Sequence, residues 1–179
     1  MSNFAGMEIR ELCELFNGKA RMTAVKKLIG GSGNAMIDGL AGSSAAMLMA
    51  RLPQRTCPYL IVANDLDEAG YMYHDLCQIV GDKQVLIFPS GYKRDIKYGQ
   101  VDAPNEILRT EVLNRWYDDP DVRWVVTYPD ALAERVRRRE DVEASTVQLR
   151  SGGSADLTEV ASRLRELGFT AVDYVYEPG

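Results

Sequence analysis

A glycine-rich segment has the position and part of the spacing of a phosphate-binding loop. Residues 37–48 read Ile-Asp-Gly-Leu-Ala-Gly-Ser-Ser-Ala-Ala-Met-Leu and connect a predicted strand to a predicted helix, where a P-loop belongs. The template G-x-x-x-x-G-K-[ST], aligned on Gly39, requires glycine, lysine and a hydroxyl residue where this sequence has Ser44, Ala45 and Ala46. The sequence therefore predicts a degenerate P-loop, which comprises Gly39, Gly42, Ser43, Ser44, Ala45 and Ala46.

Each of the replaced residues has its own role in an intact loop. The glycine lets backbone amides wrap the β-phosphate, the lysine neutralises the β- and γ-phosphates, and the hydroxyl holds Mg²⁺. Without them, only the partial positive charge of a helix N-terminus remains to attract an anion. We therefore predict no catalysis, no nucleotide cofactor and no metal at this segment. An ordinary strand-to-helix turn, with small residues for close packing, is the alternative interpretation of the same residues.

Other residues that could do chemistry are few. The single histidine, His74, lies in a predicted helix, and the sequence places no serine or cysteine nucleophile to meet it. The string at 60–65, Leu-Ile-Val-Ala-Asn-Asp, resembles a Walker B strand, but an acid that caps the next helix is common in α/β proteins. Residues 92–98 interleave basic and aromatic side chains, which is typical of loops that bind single-stranded nucleic acid. Because 89–104 contains three basic and two acidic residues, a solvated loop is the alternative.

Composition narrows the class of protein. The 179 residues carry a formal net charge of −5, which argues against the whole chain as an electrostatic partner of nucleic acid. The three cysteines are widely spaced and form no CxxC pair, which favours a reducing compartment over a disulfide framework. No apolar run reaches the ~18 residues that span a bilayer, and the first residues lack the pattern of a signal peptide. The sequence therefore predicts a cytoplasmic protein with no membrane partner.

The elements that would position these residues alternate along the chain. Helices are predicted over 8–16 and 23–29, before a glycine-rich break. The predicted strands then lie at 35–39, 59–63, 84–88 and 122–127, and the helices between and after them at 43–51, 65–80, 105–117 and 128–136. Strand 59–63 lacks polar alternation, so we expect it to be covered on both faces. The pattern predicts an α/β fold, a parallel sheet with helices on both faces.

The last part of the chain has a different character. Residues 145–150 alternate like a half-exposed strand, 156–167 form a predicted amphipathic helix ended by Gly168, and 169–176 form another predicted strand. A β-α-β unit of about 35 residues buries its own faces poorly. We therefore expect residues 145–179 to be the truncated start of a second, smaller α+β domain.

The order of several short motifs resembles the N-terminal region of bacterial transcription-repair coupling factors. These motifs begin with Gly-Leu-Ala-Gly-Ser at 39–43, the strand 59–63 and Ile-Phe-Pro at 87–89. They continue with Glu-Ile-Leu-Arg at 106–109, the strand 122–127 with Asp-Ala-Leu at 130–132, and the closing segments 164–168 and 172–179. The resemblance runs through nearly all of residues 35–179.

The resemblance implies a domain organisation and a fold. In that family the N-terminal module is similar to the excision-repair helicase UvrB, but its P-loop is degenerate, as it is here. The resemblance therefore implies N-terminal helices at 1–34, a helicase-like UvrB-like domain 1a with a degenerate P-loop at 35–144, and the truncated start of UvrB-like domain 2 at 145–179. The segment 89–104 occupies the place of the damage-sensing hairpin of UvrB but is too short to be that hairpin.

The resemblance also implies a function in recruitment. Other domains of the parent protein would bind RNA polymerase and translocate on double-stranded DNA with ATP hydrolysis, while this non-catalytic module docks UvrA and is masked by another domain at rest. The partner-contacting candidates carried over are Tyr174, Tyr176 and Glu177, with an ordinary strand and turn as the alternative. Because the main contacts of the family lie in later strands, we expect weak or undetectable UvrA binding by this chain. A free-standing NTP-binding α/β protein and a weak nucleic-acid-binding domain remain the alternative functions.

Overall fold

The computed structural model describes residues 20–31, 33–92, 101–147 and 149–174, together with Glu11 and Glu14. Helices lie at α1 (Ala20–Gly30), α2 (Ser44–Met49), α3 (Leu66–Val80), α4 (Ala103–Asp118), α5 (Pro129–Ala133), α6 (Arg139–Ala144) and α7 (Leu157–Glu166). Strands lie at β1 (Tyr59–Val62), β2 (Val85–Ile87) and β3 (Trp124–Thr127). A 3₁₀ turn at Asp82–Gln84 leads into β2. Most of the helix predicted over 8–16 lies outside the described residues.

The strands form a parallel sheet in the order β1-β3-β2. Trp124 at the start of β3 is opposite Tyr59 of β1 on one side and Val85 of β2 on the other. The chain therefore crosses from one edge of the sheet to the other and then returns to the centre. Right-handed crossovers in opposite directions assign α3 and α4 to opposite faces of the sheet. The α/β class and the parallel sheet predicted from the sequence are thus confirmed, with three strands among the described residues.

The hydrophobic core is centred on β3, whose four residues are all buried. Trp124, Val125 and Val126 pack with Leu76 of α3 and Val112 of α4. Burial of each large apolar side chain stabilises the fold by roughly 1.5–3 kcal/mol before entropy is counted. The central strand is therefore the part of the sheet most strongly held in place.

Local capping signals set the ends of the longer helices. The Asp65 carboxylate accepts a hydrogen bond of 2.9 Å from the Glu68 amide and so begins α3. Gly81, with a φ of 98°, ends it, because a side chain at that φ would be strained. Asp156 caps α7 in the same way as Asp65 caps α3. The helices predicted over 65–80 and 156–167 are therefore confirmed.

Three of the predicted strands are not present in the described residues. Residues 34–40 have no regular structure and Met36 is 91% exposed, so the strand predicted at 35–39 is wrong. Residues 145–147, 149–150 and 169–174 also form no strand, and α6 occupies part of the chain before them. An apolar alternation becomes a strand only where a neighbouring strand accepts and donates its backbone hydrogen bonds.

The expected burial of strand 59–63 on both faces is also wrong. Tyr59 and Ile61 are partly buried, whereas Leu60 is 48% and Val62 50% exposed. Within the described part of the chain β1 pairs with β3 alone, so it is an edge strand of this sheet. A uniformly apolar strand does not reveal how many of its faces the rest of the chain covers.

The chain divides into two compact units, Met1–Glu134 and Arg135–Gly179. The first contains the sheet and the second contains α6 and α7. The finer assignment of domains to 1–34, 35–144 and 145–179 stays a prediction. In the part of the chain that the structure describes, no helix is both long and apolar enough to cross a membrane.

Candidate functional site

The loop before α2 is closed by hydrogen bonds within itself. Gly39 and Gly42 have φ values of 79° and 55°, a left-handed conformation that glycine adopts without strain. The Gly39 amide donates to Asp38 Oδ1 at 2.7 Å, and the Ala41 amide donates to Ser44 Oγ at 2.7 Å. The Ser44 amide in turn donates to the Ala41 carbonyl at 3.2 Å. Three backbone N–H groups of this loop, those of Gly39, Ala41 and Ser44, are therefore engaged within the loop itself.

The positions of the missing lysine and hydroxyl lie on α2. Ala45 is partly buried, and Ala46, at the position of the magnesium-binding hydroxyl, is only 1% exposed and packs in the core. A side chain at 46 would therefore point into packed apolar atoms. Ala46 is therefore part of the hydrophobic core. This agrees with the alternative interpretation, in which the small residues of this segment allow close packing.

A cleft of about 650 Å³ lies between this loop, the end of β1 and α3. Its walls carry two carboxylates, from Glu68 and Asp75, and the described residues that line it include no lysine or arginine. Glu68 accepts a hydrogen bond of 2.7 Å from the Asn64 side chain, which holds one carboxylate at the cleft. Because a triphosphate carries several negative charges, acidic walls without a cation oppose its binding.

The Walker B-like string ends in a helix cap. Asp65 accepts the Glu68 amide bond described above, so its carboxylate is used at the start of α3. His74 lies on the exposed side of the same helix. Among the described residues, no group of three or more histidine, cysteine or acidic side chains is arranged to hold a metal ion.

The structure brings together a buried polar cluster that the sequence analysis did not find. Arg109 of α4 is 5% exposed and forms an ion pair of 3.0 Å with Glu134, the residue after α5. Its guanidinium also donates to the Pro89 carbonyl at 2.7 Å and stacks 4.2 Å from the Phe88 ring centre. Glu134 accepts hydrogen bonds from the Ser90 hydroxyl and from the Gly91 amide. We call Arg109, Glu134, Ser90 and Gly91 the clamp.

The clamp holds the base of the loop predicted over 89–104. Tyr92 and Val101 form an antiparallel bridge, and the Asp102 amide donates to the Gly91 carbonyl at 2.8 Å. The Ser90 amide donates to the buried Tyr128 hydroxyl at 2.8 Å. Residues 93–100 lie outside the described residues. The nucleic-acid-binding role considered for 92–98 therefore stays a prediction. No sequence signal pairs Arg109 with Glu134, since both stand in ordinary helical patterns.

The candidate partner residues are only partly within the described structure. Tyr174 is 77% exposed, which leaves its ring accessible. Tyr176 and Glu177 lie outside the described residues. A contact role for these three residues stays a prediction.

Comparison with known proteins places these features in context. No protein-family model matches the chain. A transcription-repair-coupling factor of Bacillus subtilis (strain 168) is 25% identical over 146 residues, which are 80% of this chain and 12% of that protein. The chain therefore spans about an eighth of the length of the curated relative it matches. Over most of its own length, this chain is similar to part of a bacterial transcription-repair-coupling factor.

Proposed function

We propose that this chain is a non-catalytic, UvrB-like module of a transcription-coupled DNA repair factor. In that role it contributes to bringing UvrA, and with it nucleotide excision repair, to a stalled RNA polymerase. The observation that carries the proposal is the similarity to a coupling factor over 80% of the chain. The loop before α2 supports the non-catalytic part, because the template aligned on Gly39 finds Ser44, Ala45 and Ala46 where glycine, lysine and a hydroxyl residue are required.

Both electrostatics and geometry oppose the binding of a nucleotide at this loop. A bound triphosphate needs a lysine, a cluster of free backbone amides and a hydroxyl for Mg²⁺. Here the lysine position is Ala45, the amides of Gly39 and Ala41 are engaged, and the hydroxyl position is the buried Ala46. The adjoining cleft adds Glu68 and Asp75, which repel phosphate.

A titration with a fluorescent ATP analogue and Mg²⁺ tests this part of the proposal. We expect no saturable signal up to about 100 µM nucleotide, with UvrB as the positive control. Micromolar affinity or measurable hydrolysis would contradict the proposal and favour a free-standing NTP-binding protein.

A site-specific crosslink tests the docking part separately. A photoreactive phenylalanine analogue at Tyr174 reports proximity to UvrA even when binding is weak. The matched control carries the same analogue at Leu157, which is 82% exposed in the same unit. We expect a crosslink to purified UvrA from position 174 and not from 157. Equal yields at both positions, or none at either, would remove the UvrA-docking role.

The resemblance extends the proposal to a larger protein. Other domains of that parent would supply the ATP-dependent DNA translocase and the contacts with RNA polymerase and double-stranded DNA. The parent would act in the cytoplasm. Within it, the present chain would dock proteins and leave the motor chemistry to those other domains.

A further inference from the structure

One stretch of this acidic protein contains almost no acidic side chains to balance its basic ones. Residues 15–64 contain six of the chain's 21 basic residues but only one of its 26 acidic residues, Asp38. The six are Lys19, Arg21, Lys26, Lys27, Arg51 and Arg55. Local charge of one sign on a chain with a net charge of −5 creates a field that the total charge conceals.

Arg55 connects this stretch to the amino end of the sheet. Its Nη2 donates to the Ile29 carbonyl of α1 at 2.9 Å, and its guanidinium lies 5.3 Å from the centre of the Tyr59 ring. The residue is exposed and forms no ion pair in the described part of the chain. The hydrogen bond and the ring contact fix the position of the charge and leave the rest of the guanidinium open to solvent.

Arg123 adds a second guanidinium from the neighbouring strand. It stands just before Trp124, the register partner of Tyr59, and lies 4.1 Å from the centre of the Trp124 ring. Its Nη2 donates to the Leu52 carbonyl at 2.7 Å, whereas its Nε is buried without a hydrogen-bond partner. Burial lowers the pKa of Arg123, against a smaller effect of Tyr59 that raises it.

Asp119, four positions before Arg123, has partners other than this pair of arginines. Asp119 already binds Arg115 at 2.8 Å and accepts the Asp121 amide at 2.9 Å. Other arginines, such as Arg109 and Arg163, each have a carboxylate within 3.0 Å. Arg55 and Arg123 therefore differ from these by having aromatic and carbonyl neighbours but no carboxylate among the described residues.

We propose that Lys27, Arg55 and Arg123, which we call the basic edge, bind the phosphate backbone of a nucleic acid. The three come from separate segments, namely α1, the loop before β1 and the residue before β3. The hydrogen bonds from Arg55 to Ile29 and from Arg123 to Leu52 join these segments at the amino end of the sheet, where a phosphate backbone could contact their charges. Ring contacts hold the Arg55 and Arg123 guanidinium groups in place, and a fixed guanidinium fork suits phosphate oxygens. This surface is distinct from the loop at 92–98 and does not depend on the UvrA proposal.

Binding of a labelled random-sequence DNA duplex to the full chain, followed by fluorescence anisotropy, tests the basic edge. For about three phosphate contacts, affinity falls by ~40-fold between ~50 mM and ~200 mM salt. Arg55→Gln removes one contact at an exposed position, so it weakens binding and lowers the slope of log affinity against log salt by about 1. Arg55→Lys keeps the charge and retains most of that slope. Arg123→Gln has the same effect as Arg55→Gln, with circular dichroism to check that it folds.

The control is Arg165→Gln, which removes an equal charge from an exposed position in the second unit and leaves affinity and slope unchanged. Absence of DNA binding at low salt, or equal slopes for the wild type and Arg55→Gln, would overturn the proposal. Poly-L-glutamate provides the remaining comparison. If it binds and is weakened by Arg55→Gln while DNA does not bind, the basic edge recognises an acidic protein segment and the nucleic-acid proposal is wrong.

Discussion

Arg109 Nη1 lies 3.0 Å from Glu134 Oε2, and this ion pair links α4 to the residue that follows α5. Both side chains are largely removed from water, with exposed side-chain fractions of 6% and 15%. Glu134 also accepts hydrogen bonds from Ser90 and Gly91, so one carboxylate satisfies a cation, a hydroxyl and a backbone amide. The clamp therefore couples the segment after β2 to the segment after β3.

Removing one partner of the clamp will destabilise the first unit strongly. Glu134→Gln leaves the Arg109 charge buried, and Glu106, 3.3 Å away and half exposed, is then its one carboxylate partner among the described residues. We expect the free energy of unfolding to fall by about 3 kcal/mol, because an uncompensated buried charge is costly. Urea denaturation followed by tryptophan fluorescence measures the change.

Two further variants show whether burial is the cause. Glu111→Gln breaks a more exposed pair with Arg115 and should cost less than about 1 kcal/mol. Arg109→Met combined with Glu134→Gln should cost less than the two single changes added together. Equal losses for Glu134→Gln and Glu111→Gln would show that the clamp contributes no more than a surface pair.

Restoring the P-loop template will cost stability before it creates a nucleotide site. Ala46→Thr places extra atoms where the side chain is 1% exposed, so we expect a loss of about 1–3 kcal/mol in urea denaturation. Ala45→Lys, at a partly buried position, supplies the missing charge without changing the engaged loop amides or the acidic cleft. Micromolar ATP binding by Ala45→Lys alone would show that the lysine was the only missing part.

Stability will decrease at alkaline pH through Tyr73. Burial, with the neighbouring Cys77, raises the pKa of Tyr73 from 10.0 to about 12. Between these values the unfolded chain loses the phenol proton while the folded chain keeps it, so the free energy of unfolding falls as pH rises. Tyr73→Phe removes this contribution and flattens the dependence, whereas the same change at the exposed Tyr71 is the control. Tyrosinate absorbance followed against pH should show one tyrosine that ionises near pH 12 in the wild type and is missing in Tyr73→Phe. If the two absorbance curves are the same in that range, burial does not raise the pKa of Tyr73.

The cap of α3 offers a test of local structure. Asp65→Ala removes the acceptor of the Glu68 amide and should lower stability by about 1 kcal/mol. Asp67→Ala, in the same first turn but without the cap hydrogen bond, should cost only a few tenths of that value. Thermal denaturation of both variants measures the two losses of stability. Equal losses would show that the charge of Asp65 near the helix N-terminus, and not its cap hydrogen bond, stabilises α3.

The candidate site was predictable only where short patterns define it. The missing glycine, lysine and hydroxyl residue follow directly from Ser44, Ala45 and Ala46. The structure adds that Ala46 belongs to the core. The acidic walls of the cleft were not predictable, because Glu68 and Asp75 reach it from a helix that begins after the next strand. The roles of Tyr174, Tyr176 and Glu177 in partner binding remain predictions.

The sequence by itself determined the elements whose ends have local signals. Asp65 and Gly81 define α3, and Asp156 and Gly168 define α7, because a cap acts through hydrogen bonds between residues close in the chain. Tertiary structure alone decided which face of β1 is exposed, since Leu60 and Ile61 are equally apolar and differ only in what packs against them. It also decided the pairing of Arg109 with Glu134 and the hydrogen bond from Arg123 to the Leu52 carbonyl. These depend on strand order, which brings together residues that no local pattern relates.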